Sequence, residues 1–179
     1  MKKMSTKMLV EAGLMIALAQ ILSYVVIFQS YNGGSITLGS MVPIIIFSLR
    51  WGGKNGLIVG LTYGVLQFLL GAKYSFHPLS ILLDYLLPFA SIGLSGFFKK
   101  NIFVSLIGVT VATGTRFFFH FISGIILWAS FAPEGMNAWL YSLLYNGAFM
   151  LPEYIITAVI VGILYVPLKK YYSPTNISN

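Results

Sequence analysis

The chain has 179 residues, of which 58% are apolar and only 8% charged, and its mean hydropathy is +0.86. An ordinary soluble domain carries about 25% charged residues; one of this size could not hide so much apolar side chain behind so few charges, which excludes a soluble globular fold, a disordered chain, collagen and a solvent-exposed coiled coil. With no Cys, disulfides, thiolate catalysis and Cys-based metal sites are excluded too, and what is left is an integral membrane protein with room, at roughly 20 residues per span, for a handful of helices and no separate soluble domain.

Six apolar segments follow one another, predicting an all-α membrane domain with six transmembrane helices over residues 1–179. The first runs from about 8 to 28. Its basic start and Ala17-Leu18-Ala19 imitate a signal peptide, but the apolar run outlasts an ordinary signal core, so a first spanning helix is expected. A turn-rich stretch, Gln29 to Ser35, separates it from a short second segment at about 36–49 that contains Pro43, and Arg50-Trp51-Gly52-Gly53-Lys54 forms a tight turn. The third segment, about 56–72, carries Gly56, Gly60 and Gly64 at four-residue spacing; the fourth spans about 78–98, and Lys99-Lys100-Asn101 turns into the fifth, about 102–131. After Pro133-Glu134-Gly135 the sixth runs from about 138 to 168, with Pro152 inside it, and a polar tail closes the chain. Strands are not expected, because the runs are too long for barrel strands and lack alternation.

With the N-terminus inside, the inner side holds Lys2, Lys3, Lys7, Arg50, Lys54, Lys99, Lys100, Lys169 and Lys170, against Lys73 alone outside. This positive-inside bias predicts cytoplasmic termini. The net charge of +7 is then mainly an orientation device, and nucleic acid is not expected as a partner.

An ionisable group within a span costs roughly 2.5–3.5 kcal/mol and needs a reason. Asp84, Arg116, His120 and Glu153 are such groups, while Glu11 lies near the inner end of the first span. Asp84 is six residues into the fourth helix, about 9 Å deep at the helical rise of about 1.5 Å. Arg116, His120, Gly124 and Trp128 recur every four residues, and Tyr141, Tyr145 and Asn146 occupy the outer turns of the sixth helix. Singly, these residues have plain explanations: an Asp84–Arg116 ion pair, a core histidine, an interfacial aromatic belt. Their shared depth predicts an outward-facing pocket, suited by its aromatic rings to a planar and cationic solute. Glu153 is expected either to cap backbone freed by Pro152 or to pair with Arg116. Gly13-x-x-x-Ala17 and the Gly56–Gly60–Gly64 stripe allow close backbone approach, inside the fold or against a partner. No Walker loop, H-E-x-x-H or nucleophile-elbow motif occurs, so power for transport has to come from elsewhere.

Three stretches are more specific: NGGSITLGSMVPIIIFSLRWG from Asn32, HPLSILLDYLLPFASIGLSG from His77 and RFFFHFISGIILWASFAPEGMNAWLYSLLYNG from Arg116. Together they resemble the thiamine-specific S component of energy-coupling-factor transporters, over nearly the whole chain. The resemblance implies a high-affinity thiamine-binding subunit, without a cofactor, in the plasma membrane of a bacterium. It would join a transmembrane coupling protein and two ATPases and topple within the lipid bilayer during transport. It also implies that His120 and Trp128 flank the thiazolium ring and that Asp84, beside Tyr85, hydrogen-bonds the aminopyrimidine, one carbon shorter than the family's Glu. Tyr74, Tyr85, Tyr141 and Asn146 fall at further binding positions, Arg116 is the basic residue near the ligand, and Gly13 and Ala17 face the coupling protein. The family's first-loop Trp is missing, and Tyr31 is the candidate to replace it. The same fold with another vitamin or a thiamine precursor, and a membrane enzyme using Asp84 and His120 as acid and base, are the competing expectations.

Overall fold

The computed structural model describes residues 5–30, 34–71 and 73–172. Six helices carry the fold: α1 (Thr6–Ser23), α2 (Val42–Trp51), α3 (Gly53–Leu70), α4 (Pro78–Phe97), α5 (Ile102–Leu127) and α6 (Ala138–Leu168). Side-chain caps start four of them where backbone N–H groups would otherwise be unsatisfied, and on α4 the cap is His77 Nδ1, which accepts from the Leu79 amide (3.2 Å). Ser5 accepts from the Met8 amide (3.3 Å), Asn101 from that of Val104 (3.0 Å) and Asn137 from that of Leu140 (3.0 Å). Helices α1, α4, α5 and α6 are long and apolar enough to cross a bilayer. Helix α2 has 10 residues, which covers only about 15 Å at the helical rise. Pro43 kinks nothing: it sits in the first turn of α2, where its missing N–H is not needed.

Two boundaries differ from the sequence-based expectation. The first apolar run does not stay helical to Phe28. It leaves the helix at Ser23, and Val26–Gln29 forms a strand, β1, paired antiparallel with β2 (Ser35–Thr37). Val25, Val26 and Ile27 are β-branched, stiff in a helix and suited to an extended ribbon, and this overturns the expectation of no strands. The fifth helix ends at Leu127 rather than Phe131, and a 3₁₀ turn at Ala129–Phe131 redirects the chain.

One half of the bundle is packed backbone to backbone. A β-carbon at Gly60 would collide with the Phe89 carbonyl oxygen, and one at Gly64 would lie 2.6 Å from the Tyr85 oxygen. The Gly56–Gly60–Gly64 stripe is therefore spent inside the fold, against α4. Gly52, at φ +89°, makes the sharp α2–α3 turn that only glycine enters without strain. Around this contact Ile44, Ile45, Leu49, Ile92 and Val109 are fully buried. Among the described residues nothing outside its own helix lies within 4 Å of the β-carbon position of Gly13, and Ala17 is exposed as well, so this second small-residue pair is left uncovered.

The basic residues gather at the end where α2 meets α3. Arg50 lies 3.2 Å from Glu11 and 5.2 Å from the Tyr171 ring centre, Lys170 is 5.1 Å from that same ring, and Lys99 reaches the Gly52 turn. Glu11 also accepts from the Trp51 indole (2.7 Å), so it is tied into this cluster rather than simply reaching an interface.

Candidate binding site

The opposite end of the bundle is open. The last turns of α1, α3 and α5, the first turns of α4 and α6, and the β1–β2 ribbon surround a cavity of about 540 Å³. All eight residues expected at a binding site line it: Tyr74, Asp84, Tyr85, Arg116, His120, Trp128, Tyr141 and Asn146.

Asp84 and Tyr85 are presented by a widened, π-helical turn at Ile81–Leu86. Its cause is Pro88, which lacks an N–H and whose ring would crowd the carbonyl four residues back, that of Asp84. Three groups hold the Asp84 carboxylate. The Ser80 hydroxyl donates to Oδ2 (2.7 Å), the Trp128 indole N–H donates to the same oxygen (3.4 Å), and His120 Nδ1 stands 3.5 Å from Oδ1.

The plain alternative for these two residues, an Asp84–Arg116 ion pair, does not form among the described residues. His120 is one turn nearer the mouth on α5 and takes that place. Arg116, deeper, lays its guanidinium 4.6 Å from the centre of the Phe89 ring, and the charge that opposes it is Glu153. Its Nε and Nη1 atoms are shut off from solvent and have no hydrogen-bond partner among the described residues. The Nε2 of His120 is likewise buried and unpartnered. Asn146 spends its amide nitrogen on the Ser142 carbonyl (2.9 Å), the Ser142 hydroxyl (3.1 Å) and the His120 carbonyl (3.3 Å), which leaves its oxygen to accept from a ligand.

The walls are aromatic. Tyr141 and Tyr145 stack at 5.7 Å with their planes 20° apart, Phe149 meets Tyr145 edge-on, and Trp128 leans on Phe131. Tyr74, about half exposed, accepts a long hydrogen bond from Gln29 of β1 (3.5 Å). Tyr145, expected with Tyr141 and Asn146 on the outer turns of α6, lines the cavity too, and Gln67, Phe89, Phe149 and the ribbon residues Val26, Gln29 and Ser35 line it without having been singled out. For Phe149 the signal was there, since it continues the Tyr141–Tyr145 register by another four residues. For Val26 it was hidden inside an apolar run read as helix, and for Gln29 and Ser35 inside a stretch read as turn. Tyr31 lies outside the described residues.

A helical chain with membrane-crossing helices and a polar, aromatic cavity between its helix ends fits a solute-binding transporter. Sequence comparison narrows the class. A family model described as thiamine transporter protein matches residues 9–173, and the chain belongs to that family. It is 38% identical over 177 residues to the thiamine transporter ThiT of Bacillus subtilis, covering 90% of this chain and 92% of that one. Identity to ThiT of Lacticaseibacillus paracasei is 29%, covering 87% and 85%. A solved structure of ThiT from Listeria monocytogenes superimposes with a TM-score of 0.83 at 28% identity, over 93% of this chain and 97% of that one. The family is one of transporters, not enzymes.

Proposed function

We propose that the chain is the thiamine-binding S component of an energy-coupling-factor uptake transporter in the bacterial plasma membrane. The observation that carries this reading is the cavity itself, with Asp84 fixed by Ser80, Trp128 and His120 at its centre. Its volume, about 540 Å³, lies in the ordinary range for small-molecule sites, about 300–1,000 Å³. Formal charge favours a cation. Asp84 and Glu153 are two acids against one guanidinium, Arg116, which leaves one formal negative charge over. Thiamine brings one positive charge on its thiazolium ring.

The residues divide the ligand between them. Asp84 Oδ1 accepts from the aminopyrimidine, with Oδ2 held back by Ser80 and Trp128. Trp128 and His120 flank the thiazolium, where an aromatic face adds about 0.5–2 kcal/mol of cation–π attraction. Tyr85, Tyr141 and Tyr74 supply flat walls, Asn146 an acceptor, and Arg116 the electrostatic floor. The cavity faces outward because the basic residues gather at the other end, the cytoplasmic side by the positive-inside rule. The uncovered Gly13 and Ala17 on α1 are the face for a transmembrane coupling protein, and two ATPases supply the energy.

Equilibrium dialysis of the purified protein with labelled thiamine tests the reading, with thiamine phosphates, hydroxymethyl-pyrimidine and riboflavin as competitors. Saturable thiamine binding that riboflavin does not displace is expected. No binding at micromolar thiamine, or tighter binding of riboflavin, overturns it.

A further inference from the structure

Glu153 belongs to neither the cavity lining nor the surface. It is 3% exposed, beside Pro152 in the middle of α6. Its Oε1 accepts the backbone N–H of Thr37 in β2, while Oε2 is buried with no hydrogen-bond partner among the described residues. Two further contacts follow the same line. The Tyr145 hydroxyl accepts from the Gly34 amide (2.8 Å), and the Phe149 ring fills the space that a side chain at Gly34 would need. Tyr145, Phe149 and Glu153 stand at four-residue spacing on one face of α6. The spacings match: Gly34 to Thr37 covers about 10 Å of extended chain, and Tyr145 to Glu153 about 12 Å of helix. A two-stranded ribbon is marginal by itself, so it needs such a seat.

The geometry points to Glu153 as a positioning residue: it holds β2 in the wall of the cavity through the Thr37 amide, and so governs how long a bound ligand stays. The second half of this statement rests on the thiamine reading above; the first does not. Both backbone donors, Gly34 and Thr37, are addressed from α6, the helix that also carries Tyr141 and Asn146 into the cavity. A buried carboxylate accepting a backbone N–H makes one of the stronger hydrogen bonds available, and its loss leaves that N–H unsatisfied.

The test compares Glu153→Gln with Glu153→Ala. Both remove the charge that faces Arg116, and only Gln keeps an acceptor oxygen, so the difference between them isolates the hydrogen bond. In ligand-free protein, amide exchange at Thr37 should be about tenfold faster in Glu153→Ala than in Glu153→Gln, with α3 amides unchanged in both. Thiamine should also leave Glu153→Ala about tenfold faster than Glu153→Gln, the scale of one such hydrogen bond. Equal exchange and equal dissociation in the two variants overturn the proposal. If Glu153→Ala does not accumulate, wild-type exchange at Thr37 decides the seat: a protected amide supports it, and one exchanging like open loop overturns it. A protected Thr37 amide in a wild-type protein that does not retain thiamine supports the seat and counts against the thiamine reading.

Discussion

Helices α3 and α4 run through both halves of the molecule and behave differently in each. Along Gly56, Gly60 and Gly64 the backbone of one helix lies against the backbone of the other, at Gly93, Phe89 and Tyr85. Farther along the same two helices, Gln67 and Leu70 on one and Ser80, Asp84 and Tyr85 on the other stand back to line a cavity. The change coincides with the π turn that Pro88 imposes on α4. Close packing is thus concentrated where the helices carry glycine. Burial of polar and charged groups is concentrated where they separate, which is where a transporter needs a site whose groups await a ligand.

The largest effect should come from breaking the packed half. Gly60→Leu places a side chain against the Phe89 backbone, which cannot move aside as a side-chain tip could. It should cost at least about 3 kcal/mol, the upper range for overpacking, and abolish recovery of folded protein in detergent. Survival of Gly60→Leu with normal thermal unfolding would show that α3 and α4 are not in register as described. Gly13→Leu is the contrast, because among the described residues nothing outside its own helix lies within 4 Å of that position. It should leave folding and thiamine binding intact and abolish uptake by cells; loss of binding in the isolated protein would contradict an outward-facing α1 stripe.

Substitutions in the open half should act on binding and not on folding. Trp128→Ala removes an aromatic wall and the N–H given to Asp84, and Asp84→Asn removes the leftover negative charge. Each should weaken thiamine binding at least about tenfold, or about 1.4 kcal/mol, with the unfolding midpoint of the ligand-free protein little changed. The smallest effect is expected at the basic end. Glu11→Gln keeps the acceptor for Trp51 and loses only the ion pair with Arg50, a pair at the edge of the bundle, and should cost about 1 kcal/mol or less with no change in binding.

Much of the site was legible because it is written in side chains. Asp84, His120, Trp128 and Asn146 are rare polar or amphipathic residues in apolar spans, and helix spacing with depth from the nearest turn brought them together. The ribbon was not legible. Val25 to Phe28 is as apolar as the helix before it, and in a run that short periodicity does not separate strand from buried helix. Its attachments, the Gly34 and Thr37 amides, are backbone groups that no residue pattern announces. Which basic group meets Asp84 was not legible for a related reason. Both Arg116 and His120 lie on one stripe of α5, and the choice between them depends on one turn of depth, which only the packing of α4 against α5 decides. Of the two glycine-type stripes, spacing could not say which is buried; α3 has α4 against it, and α1 at Gly13 has nothing among the described residues.

The central claim is that thiamine occupies the cavity around Asp84 and Trp128. The most direct test is a thiamine titration of the protein's intrinsic fluorescence with Trp51 and Trp139 replaced by Phe, so that Trp128 alone reports. The account predicts saturable quenching below micromolar thiamine, shifted at least about tenfold to higher concentration by Asp84→Asn. Unchanged Trp128 fluorescence in a protein that binds thiamine, or quenching indifferent to Asp84→Asn, would contradict it.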